Sequence, residues 1–137
     1  MKTSNSTNEI SSDWLPNMNT QKDGNILGII ELVTVKGNNG MKTVKAKLDT
    51  GTGYTCVDYA LAAEVGLGPL VDTIRIRVVS NKKPETHILA EAEIIINQQN
   101  FSIPVSLEDR SGMNYDVLIG RDLLELSDFL INPRKNI

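Results

Sequence analysis

Asp49-Thr50-Gly51-Thr52 joins two β-prone runs, and that setting restricts what the chain can become. Upstream, Lys42-Thr43-Val44-Lys45-Ala46-Lys47-Leu48 alternates polar with apolar, so Val44, Ala46 and Leu48 share one face of a strand. Downstream, Tyr54-Thr55-Cys56-Val57 is again β-prone. A carboxylate followed by a hydroxyl residue and a glycine suits a tight turn, because glycine tolerates dihedrals and close approaches that other residues do not, and backbone N–H groups can then reach the acid. The expectation is an acid presented at the end of a strand. By itself the tripeptide also fits a hairpin turn with no chemistry.

A second segment narrows the choice. Val117-Leu118-Ile119-Gly120-Arg121-Asp122-Leu123-Leu124 reads as an apolar strand that ends at glycine and runs into a short helix. Asp-Thr-Gly-Thr-Gly-Tyr-Thr-Cys-Val (49–57), followed later by Leu-Ile-Gly-Arg-Asp-Leu-Leu (118–124), resembles the retropepsin pattern of single-domain aspartic proteases. Asp109 to Tyr115, Gly120-Arg121-Asp122 and the closing Phe129-Leu130-Ile131-Asn132-Pro133-Arg134 resemble more closely a bacterial and archaeal retropepsin-like family labelled ATP-dependent zinc protease. The resemblance covers roughly residues 27–135. It implies a mainly β fold, a small closed retropepsin-like (acid protease) β-barrel with one or two short helices.

Peptide hydrolysis by water needs a base for the water and an acid for the tetrahedral intermediate and leaving amine. Two carboxylates about 3 Å apart fill both roles, because like charges that close cannot both ionise. The chain holds one Asp-Thr-Gly motif. The matching carboxylate must therefore come from a second copy related by two-fold symmetry, and the expected partner is a second copy of this chain. Asp49 is the expected catalytic residue, and Gly51 lets amides approach it. By the resemblance, Thr50 hydrogen-bonds across the dimer axis. Thr52 stands where that family usually has alanine, and its hydroxyl is expected to donate to the Asp49 carboxylate. The same resemblance has Arg121 paired with an acid, within the fold or across the dimer. Asp122 is read instead as an N-cap for a helix from Leu123 to Phe129, with Glu125 completing an approximate capping box. Asp116 reads as solvated and Asp109-Arg110 as a surface pair.

Composition excludes several other functions. A net charge of −3 and a pI near 5.1 argue against a nucleic-acid surface, which needs a basic excess. One histidine, His87, and one cysteine, Cys56, supply too few ligands for a zinc cluster, so no metal is expected despite the family label. No Gly-rich loop ending in Gly-Lys-Ser/Thr is present for ATP, and no cofactor is expected. Cys56 reads as a small buried hydrophobe and His87 as a structural residue. Without a signal-length or membrane-length apolar run, a soluble, cytoplasmic protein is expected, with no membrane partner.

Two units emerge along the chain: residues 1–25 as a disordered arm and 26–137 as the protease domain. The first is rich in Ser, Thr, Asn and Asp, and apart from Trp14-Leu15-Pro16 it offers little to bury. The alternative for it is docking of Trp14 and Leu15 on the domain or a partner. Within the second, Ile26 to Lys36 and Met41 to Leu48 read as a hairpin around Gly37-Asn38-Asn39-Gly40. A helix is expected over Tyr59 to Leu67, with Asp58 as N-cap and Gly66 as stop. Strands are expected over Asp72 to Val79, Thr86 to Ile96 and Phe101 to Leu107, and Phe129-Leu130-Ile131 as a terminal strand. Ser80 to Glu85 falls where a retropepsin carries its flap, which makes Asn81, Lys82 and Lys83 candidate substrate residues. Retropepsin flaps tend to be rich in glycine, and this segment has none. Its lysines, with Arg75 and Arg77 on one strand face, suggest a locally positive groove and an acidic peptide substrate, the alternative being a solvated sheet face with no substrate role. Members of the resembling family occur alongside ligases that add glutamate tails, so a Glu-rich tail is one candidate. The rival reading is a retropepsin-like dimerisation or peptide-binding module that hydrolyses weakly.

Overall fold

The computed structural model describes residues 25–77 and 84–137. The N-terminal arm through residue 24 and the flap residues Asn81, Lys82 and Lys83 lie outside them. Six strands close a barrel. In chain order the elements are β1 (Ile26–Leu27), β2 (Ile30–Gly37), β3 (Gly40–Leu48), β4 (Cys56–Asp58), α1 (Tyr59–Val65), β5 (Leu70–Arg77), β6 (Pro84–Ile96), β7 (Gln99–Glu108), β8 (Val117–Ile119), α2 (Arg121–Leu124) and β9 (Leu130–Ile131). The strands neighbour one another in the order β2-β3-β8-β4-β7-β6, and β2 pairs back onto β6 through Thr34–Ile95, Val35–Ile94 and Lys36–Glu93. β5 extends the sheet from β6, while β1 and β9 form a separate parallel pair.

Strand alternation fills the barrel. Ala90, Ala92, Ile94 and Ile96 of β6 point inward with Ile103 and Val105 of β7, Val33 and Val35 of β2, and Val117 and Ile119 of β8. The core is aliphatic, as the low aromatic content requires, with Phe101 and Phe129 meeting at 5.9 Å between ring centroids at its edge. Each valine, isoleucine or leucine buried this way contributes about 1.5–3 kcal/mol.

Turn chemistry sets the registers. In the β2–β3 hairpin, Gly37 opposes Gly40, and the Asn38 and Asn39 amides donate to the Gly66 and Val65 carbonyls at 2.8 and 2.9 Å. The turn thus docks on the end of α1, so close that a Cβ on Gly37 would lie 2.3 Å from the Val65 carbonyl oxygen. Asn97 and Gln98 turn β6 into β7 with φ of 48° and 69°, the left-handed conformation that matches strand twist in two-residue hairpins. Asp58 caps α1 by accepting from the Ala60 amide, and Gly66 ends it in the left-handed region, both as the sequence indicates.

The second helix differs from expectation. It spans Arg121–Leu124 rather than 123–129, its N-cap is Gly120, and Asp122 lies inside the first turn. Leu126 is exposed, and the Ser127 hydroxyl donates to the Leu124 carbonyl at 2.7 Å. Asp109 and Arg110 do not pair. Arg110 is buried, donating to Glu108 at 2.8 Å and to the Tyr115 carbonyl at 2.7 Å, while exposed Asp109 accepts from the Ser111 amide and hydroxyl. Those two bonds hold the Asp109 carboxyl below its ordinary range. Among the described residues no helix is long and apolar enough to cross a membrane.

Candidate active site

β8 brings the two motifs together. It lies between β3, which leads into the Asp49 loop, and β4, which leaves it: Leu48 pairs with Ile119 in parallel, and Cys56 with Leu118 antiparallel. The Asp49 amide donates to the Ile119 carbonyl at 2.9 Å, so the acid stands where the ladder ends. Past it, the Thr52 amide returns to the Asp49 carbonyl at 3.2 Å, and the Gly51 amide donates to Asp49 Oδ1 at 2.9 Å. Gly51 therefore does what a glycine two residues after an acid can do. Its own Cβ position lies 3.1 Å from that Oδ1, tight for a larger residue.

Beneath the loop is a buried polar knot. Thr55 is fully buried, and its Oγ1 donates to Asp122 Oδ1 at 2.8 Å while accepting from the Gly120 amide at 3.1 Å. The same Asp122 oxygen accepts from the Thr55 amide at 3.0 Å and from the Leu123 amide at 2.7 Å. Asp122 thus ties α2 to the start of β4, 67 residues away in sequence, instead of capping a helix. Gly120 has to be glycine, because a Cβ there would sit 2.7 Å from the Tyr54 carbonyl carbon and 2.9 Å from the Thr55 nitrogen. Sequence reasoning missed Thr55, since nothing local marks a hydroxyl whose partners are so distant.

Above the knot, Arg121 braces the loop at two points. Its amide donates to the Thr52 carbonyl at 2.9 Å and its Nη1 to the Thr50 carbonyl at 2.8 Å. The acid partner implied for it is absent among the described residues, where no carboxylate lies within ion-pair distance. Thr50 is exposed, and its hydroxyl makes no hydrogen bond among the described residues. The Thr52 hydroxyl donates to the Tyr54 carbonyl at 3.3 Å rather than to Asp49, which corrects the role expected for it.

Cys56 adjoins the loop without joining its chemistry. Its thiol donates to the Tyr54 carbonyl at 3.3 Å and is pushed up to about 12, chiefly by burial and then by the negative charge of Glu108. A thiol held neutral is no nucleophile. His87 is half-buried, with Nδ1 3.1 Å from Ser106 Oγ and 3.6 Å from a Glu108 carboxylate oxygen.

This architecture is that of the retropepsin-like β-barrel. EIAV protease complexed with the inhibitor HBY-793 superposes with a TM-score of 0.55 at 16% identity, covering 70% of this chain and 84% of that one. The Legionella pneumophila protein Lpg0085, of unknown function (DUF785), gives a TM-score of 0.55 at 18% identity, covering 82% and 95%. No family model and no curated protein matches the sequence. At these identities the likeness is one of fold.

Proposed function

We propose that this chain is a homodimeric aspartic endopeptidase in which two copies each supply one Asp49 carboxylate. The observation that carries the reading is the meeting of the two sequence motifs at one site, with Asp49 held by the Ile119 carbonyl and the Gly51 amide. The exposed Thr50 side chain is available to a second copy. In the shared site one carboxylate is charged and removes a proton from water as the oxygen attacks the peptide carbonyl. The other is protonated and donates to the carbonyl oxygen, and a proton then passes to the leaving amine. A peptide or protein is the substrate class, and a cytoplasmic setting belongs to the proposal on the sequence grounds above.

Asp49→Asn keeps the size of the side chain and an acceptor for the Gly51 amide while removing the ionisable group. Purified Asp49→Asn protein is expected to lose peptide cleavage while retaining wild-type circular dichroism and sedimentation. Cleavage at the wild-type rate by that variant refutes the proposal, whereas a wild-type protein that dimerises or binds peptide and cleaves none favours a barrel without hydrolysis. Specific activity is expected to fall on dilution as copies separate. Activity lost to a chelator and restored by zinc supports the metal label of the resembling family instead.

A further inference from the structure

We infer that Arg121 and the open position at Gly53 form a carboxylate-binding subsite beside Asp49, which selects an acidic side chain near the scissile bond. The inference rests on the proposed peptide-binding role of the Asp49 loop. Arg121 is fastened at both ends to that loop, by its amide to the Thr52 carbonyl and by Nη1 to the Thr50 carbonyl. Its guanidinium is therefore fixed in direction, yet among the described residues only one of the five N–H donors of the fork is engaged. Arg110 and Lys135, by contrast, are matched by carboxylates, Glu108 and Glu31. Nη2 faces Gly53, where a Cβ would stand 3.4 Å away, so the chain leaves empty the place from which an internal acid would pair with it. Asp122, next in sequence, is turned inward to Thr55 and the Leu123 amide.

An oriented, exposed guanidinium with free parallel donors takes a carboxylate in bidentate fashion. A peptide laid with its scissile bond over Asp49 passes along residues 49–53, at about 3.3 Å per residue when extended. A glutamate or aspartate within a residue or two of the bond can then reach the space over Gly53. The rival source of a carboxylate is a second copy of the chain, and its signature is a shifted dimer equilibrium in place of a peptide preference.

Binding is best read in the Asp49→Asn background, where peptides are not consumed. Fluorescence anisotropy with labelled hexaglutamate and hexaglutamine is expected to give about a tenfold preference for hexaglutamate, equivalent to about 1.4 kcal/mol. Arg121→Gln removes the fork, and Gly53→Asp supplies an internal carboxylate while keeping both loop bonds of Arg121; each is expected to bring the ratio near one. The ratio cancels any general change in affinity, and Gly53→Asp covers the case in which Arg121→Gln fails to fold. A hexaglutamate preference that survives both substitutions overturns the inference, as does its absence from the parent protein. Arg121→Gln that loosens the dimer and leaves the ratio unchanged assigns the guanidinium to the second copy. An intact preference in a protein with no protease activity refutes the proposed reaction and leaves the subsite standing.

Discussion

Thr55→Val is nearly isosteric and removes only the hydroxyl, so its cost reports what the knot under the Asp49 loop contributes. Two bonds disappear, the 2.8 Å donation to Asp122 Oδ1 and the 3.1 Å acceptance from the Gly120 amide. A hydrogen bond to a charged group contributes about 1.5–3 kcal/mol, and a buried amide left unsatisfied costs about 1–3 kcal/mol. Asp122 keeps the Thr55 and Leu123 amides, which holds the first figure toward its lower end. The expected loss is about 3 kcal/mol, a large share of the roughly 5–15 kcal/mol that stabilises a domain. With a urea m-value of about 1–3 kcal/mol/M, the midpoint falls by about 1–3 M. Circular dichroism across a urea titration, at one fixed protein concentration, measures it. Thr55→Ser, which keeps the hydroxyl, is expected to recover most of the loss. A Thr55→Val midpoint within about 0.3 M of wild type at unchanged m refutes the view that the knot holds the loop.

Four further outcomes follow from the geometry. Gly120→Ala meets backbone atoms of Tyr54 and Thr55 inside 3.0 Å and is expected to prevent accumulation of folded protein, read by soluble yield and proteolysis. Lys135→Met strips the buried Glu31 carboxylate of its 3.1 Å partner and is expected to cost about 3 kcal/mol by urea unfolding. Cys56 ionises more easily unfolded, at its ordinary value of 9.0, than folded, at about 12, so its contribution is present below pH 9 and is lost as pH rises toward 12. The wild type is expected to lose stability more steeply than Cys56→Ala over that range, and its thiol to resist alkylation until the protein unfolds. Ser111→Ala removes one of two donors to Asp109 and is expected to raise its pKa toward the ordinary range, followed by carboxyl NMR shifts during acid titration.

The parts legible in the sequence were those whose causes are local. Alternation over 42–48 marks β3, and Asp58 and Gly66 mark the ends of α1, because a cap acts within a turn of its own residue. The parts that were not depend on distant partners. Arg110 looks like a surface cation beside Asp109, but Glu108, the Tyr115 carbonyl and Asp58 draw it and its amide inward. Asp122 followed by Glu125 imitates a capping box, yet the donors that claim Asp122 include Thr55, on the far side of the sequence. Thr52 next to an acid suggests a bond to it, while the turn aims its hydroxyl at the Tyr54 carbonyl.

The loop has two sides, and they separate stability from function. Below it, Thr55, Gly120 and Asp122 saturate one another in buried or half-buried positions, so changes there leave polar groups without partners or drive backbone into backbone. Above it, among the described residues, the exposed Thr50 hydroxyl and most of the Arg121 fork are unclaimed, and the Asp49 carboxylate accepts only from the Gly51 amide, a bond that asparagine can keep. Asp49→Asn, which keeps that bond, should change stability by no more than about 0.5 kcal/mol. Asp49→Asn and Thr55→Val therefore form a matched pair: the first is expected to unfold with the wild type and lose activity, the second to lose several kcal/mol. If Asp49→Asn destabilises the chain as strongly as Thr55→Val, Asp49 is a structural member of the turn, and the separation of the two sides fails.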